Sequence, residues 1–339
     1  RPDLLLIAAL FHDIGKGYQD RDHSEYGAEL IGALALRMGF DDADVATLQL
    51  LTRHHLLLPS VATKRDLQDP QTIAEVLSLI SDAQTLELLH ALSIADGEAT
   101  GKSAWSNWKA GLVADLVERC LSAMQGIPPA PQLELTPEQI DRASSGDISV
   151  DIDQREGNFV IEIVSPDSMG LLSIVAAVLA ISRLDVKSAR TRSIGQSAVM
   201  TWLVEPDPYA PAPTAEALRT LLSKGLAREI DLNKKIEDRI ANFRRFPGIP
   251  TPPPEVRAIN DVATNATVLE VRMHDKPGVL YNVARAISKF GVDIRAAIVA
   301  TLGAEAFDTL YITDSSGQAL SEQKAKILAN QVENYLLTL

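Results

Sequence analysis

The stretch Leu4-Leu5-Leu6-Ile7-Ala8-Ala9-Leu10-Phe11-His12-Asp13-Ile14-Gly15-Lys16-Gly17 decides how this chain is read. An apolar helix-like run ends on an adjacent imidazole and carboxylate, and two glycines then break it. Polar groups on such a background are costly to bury without partners. Three further sites in the first hundred residues repeat the pattern: His23, the pair His54-His55, and Ala95-Asp96. For any one histidine a hydrogen-bonded or surface role is the simpler reading. The five residues His12, Asp13, His23, His55 and Asp96 together point to a metal site.

His12 and Asp13 can offer neighbouring nitrogen and oxygen ligands, and Asp96 from a distant helix can close the set. His23 and His55 can hold a second ion, with Asp13 bridging. Mixed nitrogen and oxygen donors suit Mn, Mg, Fe or Zn, and two ions side by side activate a water for in-line attack at phosphorus. Lys16, one helical turn beyond His12, can neutralise the phosphate; a solvated helix-end lysine is the alternative. His54 is the weaker of its pair, since one of two adjacent residues on a helix faces away. His90 and His274 read as structural.

Length and charge bound the rest. The 339 residues suit two or three domains, and 46% are hydrophobic. No apolar run approaches the roughly 18 to 20 residues that span a bilayer, and the start has no basic segment followed by a cleavage site. A net charge of −13 speaks against a nucleic-acid partner. A single cysteine, Cys120, cannot form an internal disulfide, which fits a reducing cytoplasm. The chain is already inside a helical pattern by Leu4, as expected of a piece of something longer.

Three- and four-residue apolar spacing predicts helices over 4–11, 23–38, 42–55, 70–81, 83–95 and 105–124, with Asp42 and Thr136 as N-caps and Pro70 in a first turn. Gly126-Ile127-Pro128-Pro129-Ala130-Pro131 then reads as a linker, and a second break begins at Pro247. Between and after these breaks lies an internal repeat. Asp167, Gly170, Leu171, Asp185, Gly195 and Thr201 recur 108 positions on as Asp275, Gly278, Val279, Asp293, Gly303 and Thr309. Each copy reads strand (159–164; 268–273), Asp-x-x-Gly turn, helix (171–181; 279–290), two strands, and a further helix (214–222; 321–336). This is most of a ferredoxin-like βαββαβ unit. Segments 147–152 and 255–260 align at the same offset, and we expect each to fill the edge position that the last strand would otherwise take.

Each Asp-x-x-Gly turn joins a strand to a helix N-terminus, where free N–H groups attract a carboxylate and glycine allows close approach. Asp167 and Gly170 in one copy, Asp275 and Gly278 in the other, are therefore candidate effector residues. Asp275 is placed to take an amino group. The alternative is that the turns only stabilise two small domains. Ala300, Thr301 and Phe307, with Ala189 and Met200, either line these sites or pack beside them.

The run from Leu4 to Gly17, with Asp22-His23-Ser24-Glu25, Arg53-His54-His55-Leu56-Leu57, Arg65-Asp66-Leu67-Gln68-Asp69-Pro70, Ala95-Asp96 and Trp105-Ser106-Asn107-Trp108-Lys109, resembles the HD phosphohydrolase domain of the bifunctional uridylyltransferase/uridylyl-removing enzymes of nitrogen regulation. The repeat resembles their two ACT domains. The resemblance implies an all-α HD-type domain over 1–125, a linker over 126–146, an α+β ferredoxin-like ACT domain over 147–246, a linker over 247–254, and a second ACT domain over 255–339. It implies metal-dependent hydrolysis that removes a nucleotidyl group, UMP or AMP, from a tyrosine of the PII signalling protein, a phosphodiesterase activity regulated by glutamine. The family's further ligand histidine and its nucleotidyltransferase domain are expected upstream of Arg1. Two alternatives stay open. One is a guanosine tetraphosphate hydrolase, although that family follows His-Asp with an acidic pair where this chain has Ile14-Gly15-Lys16-Gly17. The other is a non-catalytic amino-acid sensor.

Overall fold

The computed structural model describes residues 1–18, 20–101, 105, 107–127, 135–155, 157–242, 253–260, 263–302 and 305–339, with backbone alone for Asn107, Trp108 and Leu302. Gly303, Ser106, the proline run 128–131 and the break at 247–250 lie outside the described residues. The chain forms two compact units, Arg1–Gln132 and Leu133–Leu339.

The first unit is helical: α1 (Pro2–Phe11), a 3-10 turn (Ile14–Gly17), α2 (His23–Met38), α3 (Asp42–Arg53), α4 (Leu57–Lys64), α5 (Pro70–Leu79), α6 (Ala83–Thr100) and α7 (Asn107–Met124). Carboxylates start four of these helices: Asp22, Asp41, Asp69 and Asp82 each accept a first-turn N–H. The cap of α3 is thus Asp41, one residue before the expected Asp42. Leu4, Ile31, Leu48, Leu51, Leu58, Leu86, Leu89, Leu92 and Leu116 fill the core between them, each almost fully buried. Two boundaries differ from expectation. The third helix stops at Arg53 and leaves His54 and His55 in a turn, and α4, which was not anticipated, follows directly. Helix α6 continues past Asp96 to Thr100, so Asp96 stands on a helix.

The second unit opens with α8 (Pro137–Ser145), inside the segment read as a linker. Thr136 caps it, as expected, and does so in a reciprocal box with Gln139. Then come β1 (Ser149–Arg155), β2 (Asn158–Pro166), α9 (Leu171–Ile181), β3 (Leu184–Ile194), β4 (Ser197–Pro206), α10 (Ala215–Leu226), α11 (Leu232–Ala241), β5 (Glu255–Ile259), β6 (Thr267–His274), α12 (Val279–Lys289), β7 (Asp293–Leu302), β8 (Glu305–Thr313) and α13 (Glu322–Leu336). All eight strands form one antiparallel sheet in the order β1-β2-β4-β3-β7-β8-β6-β5. Strands β1 and β5 lie at its two edges, each paired with the first strand of its repeat, the position expected for these leading segments.

The two repeats meet where β3 pairs with β7, through Ser188–Ile298, Ala189–Ala297 and Arg190–Ala296. Ala189 and Ala297 are 108 positions apart and both fully buried, so a pseudo-two-fold axis passes between equivalent residues. One apolar core runs beneath both repeats, with Trp202, Val175, Leu179, Val283, Ile287 and Leu310 among its members. On the opposite face α8 covers β2 and β4 through Ala143, Val164 and Val199.

Candidate functional site

Four segments of the helical unit bring the polar set together. His12 caps the C-terminus of α1, Asp13 opens the 3-10 turn, His23 begins α2, and His55 sits in the turn after α3. Close backbone packing makes this possible. A Cβ on Gly15 would lie 2.0 Å from the His23 carbonyl oxygen and 2.9 Å from the Gly27 nitrogen, so only glycine lets the turn rest on the start of α2. Asp22 holds that start by accepting from the Ser24 and Glu25 amides, at 3.0 Å each.

Asp13 stands between two groups. Its Oδ1 is 3.5 Å from His55 Nε2 and its Oδ2 is 3.4 Å from His12 Nε2, which is itself 3.4 Å from Asp96 Oδ1. Ligand atoms of Asp13, His23 and His55 all fall within 4.8 Å of one another. The His12 and His55 rings are 5.2 Å apart between centroids, and those of His23 and His55 are 5.4 Å apart.

The geometry fits a divalent cation. His12 Nε2 and Asp13 Oδ1 are buried with no hydrogen-bond partner among the described residues. Two donors each about 2.1 Å from one ion lie about 3.0–3.4 Å apart in octahedral or tetrahedral geometry, close to the separations found here. The opposite ring nitrogens are occupied: His12 Nδ1 meets the Ala9 carbonyl at 2.9 Å and His55 Nδ1 the Thr52 carbonyl at 2.8 Å. A carbonyl accepts only, so each Nδ1 carries the proton and each Nε2 keeps its lone pair for the ion. Burial pushes the His55 imidazole below its ordinary pKa, which favours the neutral ligand form. Asp13 is raised by its burial but pulled lower by the Lys16 hydrogen bond and the imidazoles, ending below its usual range.

Lys16 reaches back to Asp13 Oδ2 at 2.5 Å with a largely exposed side chain, so its ammonium is held at the rim of the cluster. His54 is half-buried and outside the group; its carbonyl accepts the Leu57 amide. Sequence reasoning missed the supports: Gly15, Gly27, whose added Cβ would sit 3.1 Å from Thr52 Cγ2, and the Ala9 and Thr52 carbonyls. The glycines were visible, but their role depends on which helix they face.

The second unit holds two more polar clusters, one at each end of the β3–β7 seam. At one end, Asp167 accepts from Ser193 Oγ at 2.6 Å, and Asp293 of the other repeat is close enough that, after its own loss of water contact, the charge of Asp167 further raises its pKa. At the other end Asp275 is hydrogen-bonded by Thr301, the residue 108 positions after Ser193, and Asp185 is raised in the same way, with Asp275 adding to the effect. Gly170 and Gly278 both take left-handed backbone, at φ 84° and 81°, as N-caps of α9 and α12. Asp275 itself is raised by loss of water contact, against the pull of Lys187 and His274. Thr301 pairs with Ala306 of the main core, whereas Ala300 and Phe307 pair on the opposite face, where Arg272 stacks on the Phe307 ring at 5.2 Å. Ala189 lies on the axis and Met200 in the core.

No described helix is long and apolar enough to cross a membrane. The HD domain family matches residues 1–98 and the ACT domain family matches residues 267–330. A bifunctional uridylyltransferase/uridylyl-removing enzyme of Streptomyces coelicolor is 38% identical over 100% of this chain and 46% of its own length. The enzyme of the same description from Mycobacterium tuberculosis (strain H37Rv) is 40% identical over 92% of this chain and 40% of its own. One from Gluconobacter oxydans is 29% identical over 94% of this chain and 39% of its own. The chain thus spans less than half the length of these curated relatives. With an HD domain, an ACT domain and this identity along nearly all its residues, it belongs to the family of bifunctional uridylyltransferase/uridylyl-removing enzymes.

Proposed function

We propose that this chain carries the uridylyl-removing activity of its family: divalent-metal-dependent hydrolysis that releases UMP from a tyrosine of a PII signalling protein, regulated by glutamine at the paired turns. The observation that carries the reading is the cluster at Asp13, where His12 Nε2 and Asp13 Oδ1 lack hydrogen-bond partners among the described residues and the other ring nitrogens of His12 and His55 are tied to carbonyls. His12, Asp13 and Asp96 would hold one ion, and His23 and His55 a second, with one Asp13 oxygen turned to each group. Manganese or magnesium suits these donors best, with iron or zinc as alternatives.

A bound ion supplies a nucleophilic water at neutral pH and positive charge for the phosphate oxygens. The chain's own residues hold the geometry. The Ala9 and Thr52 carbonyls fix the rings, and Lys16 keeps a positive charge beside Asp13 where a phosphate would arrive. A tyrosine leaving group with pKa near 10 departs without a strong general acid, and none is required of this site. At the turns, the N-terminus of α9 or α12 would receive the effector's carboxylate and Asp167 or Asp275 its ammonium. Cys120 is buried and its thiol pushed up to about 11 by burial, which makes it inert and compatible with a cytoplasmic setting.

The test is UMP release from uridylylated PII by the purified chain, with metal content measured in parallel. Asp96→Ala and His12→Ala should each abolish release while leaving the thermal melt of the helical unit in place. Chelation should stop the reaction, and added Mn or Mg should restore it. Unchanged rates in either variant would remove the metal assignment.

A further inference from the structure

The two junctions on the β3–β7 seam are related by the pseudo-two-fold axis, yet they differ in three respects that bear on a ligand. The first is position 308. Its counterpart 108 residues earlier is Met200, fully buried in the core, whereas Asp308 places a carboxyl in the same setting. Asp308 is 1% exposed, and neither of its oxygens has a hydrogen-bond partner among the described residues. It pairs with Val271 and Val299 in neighbouring strands and alternates with Ala306 and Leu310 of the main core. Burial, with the nearby charge of Asp275 adding to it, pushes its pKa up to about 7.

The second is α11, which has an effect at one junction only. A Cβ on Gly278 would lie 2.7 Å from Ile236 Cγ2, while the nearest atom to one on Gly170 is Ser288 Oγ at 3.5 Å. Asn233 anchors α11 to α12 by accepting from the Tyr281 hydroxyl and from Arg285. Arg239, one turn beyond Ile236, has a buried Nε without a partner among the described residues. The third is exposure: Asp167 and its loop are open to solvent, but Asp275 through Gly278 are half-buried.

A carboxyl with two empty acceptors in an apolar core is a standing cost, relieved when a donor enters. The strand register shows which kind. Thr301, which bonds Asp275, and Val299, which faces Asp308, are two residues apart along β7, about 7 Å. An amino acid with its ammonium at Asp275 and its carboxylate at the α12 N-terminus would need a side chain of a few atoms, ending in a donor, to span that gap.

We propose that the junction closed by α11 is the ligand-binding member of the pair and that Asp308 is its selectivity residue, accepting a hydrogen bond from the carboxamide of an amino-acid ligand. The inference rests on the amino-acid-sensing reading above. Above about pH 7, where Asp308 is ionised, it explains how glutamine would be told from glutamate, because the acid would bring a second carboxylate against Asp308 in a site with little water. The other junction, with Met200 in that place, lacks the acceptor.

Calorimetric titration of the whole 339-residue chain at pH 8 with glutamine and with glutamate tests this, alongside thermal melts. The wild type should bind one equivalent of glutamine and discriminate against glutamate. Asp308→Asn, which can donate to a carboxylate, should reduce that preference by roughly tenfold or more. Asp308→Met should lose glutamine binding while raising the melting temperature, a combination that a purely structural residue would not give. Unchanged preference in Asp308→Asn, two equal sites, or loss of binding together with a lowered melting temperature would each overturn the inference and leave amino-acid sensing standing. No heat from the wild type with either ligand would overturn both.

Discussion

In the helical unit the polar groups reach one point from segments as far apart in the chain as His12 and Asp96, and each is fixed by what its neighbours' backbones allow. In the sheet unit each cluster grows from one local motif, a strand, a turn and a helix, copied 108 positions on and joined at Ala189 and Ala297. The first arrangement is a product of packing and the second of duplication. A packed site should therefore fail as a whole when one contact is altered, whereas duplicated junctions can diverge one at a time.

The sharpest way to break the packed site is a single methyl. Gly15→Ala puts carbon 2.0 Å from the His23 carbonyl oxygen and 2.9 Å from the Gly27 nitrogen, and neither backbone atom can swing aside. The 3-10 turn must lift from α2, which separates Asp13 from His23. Overpacking of this kind costs about 1–3 kcal/mol and more where backbone is struck. We expect the upper end of that range in urea unfolding and a loss of bound metal. A variant that holds metal as well as wild type would show that the turn does not depend on this contact.

An effect that is graded rather than all-or-none separates the duplicated junctions by pH. An unfolded aspartate titrates near 3.9, whereas Asp308 in the folded chain is pushed up to about 7. Between these values the folded state keeps a proton that the unfolded state has released, so stability falls as pH rises, by up to about 1.4 kcal/mol per unit. Below both values the group contributes nothing to the slope. Urea midpoints from pH 4.5 to 7.5 should fall less steeply for Asp308→Asn than for wild type, while Met200→Leu at the other junction should follow the wild-type slope. Parallel slopes for wild type and Asp308→Asn would mean that Asp308 is not held protonated.

The two regions also differed in how far their sequences could be read. The metal set was legible because imidazole and carboxylate are conspicuous on apolar helices, and the repeat because an ungapped offset of 108 can be counted. Helix α4 was not, since Pro59 reads as a break, yet it occupies the first turn of that helix, where its missing N–H is no loss. Helix α11 was overlooked because Leu232, Ile236 and Ile240 form a narrow stripe in a charged stretch, and only the tertiary structure shows that the stripe faces Gly278 and the core. Asp308 left a signal that went unread: with Ala306, Leu310 and Ile312 it shares the inward register of β8, where a carboxylate stands out. What no local pattern could supply was the asymmetry, because α11 belongs to the first repeat and acts on the second.

That asymmetry gives the smallest and most selective test. Gly170 and Gly278 share a left-handed backbone, so alanine at either should cost the same conformational penalty of about 1–2 kcal/mol. At Gly170 the new methyl meets nothing closer than 3.5 Å, and the penalty ends there. At Gly278 it meets Ile236, which is 2% exposed and cannot retreat without moving α11 off α12. Gly278→Ala should therefore be the more destabilising of the two, by about 1 kcal/mol or more. A double-mutant cycle locates the difference: Ile236→Ala should couple with Gly278→Ala, because the truncated side chain gives the methyl room, and should simply add to Gly170→Ala. Equal costs at the two glycines, or additivity in both cycles, would mean that α11 does not close one junction in preference to the other.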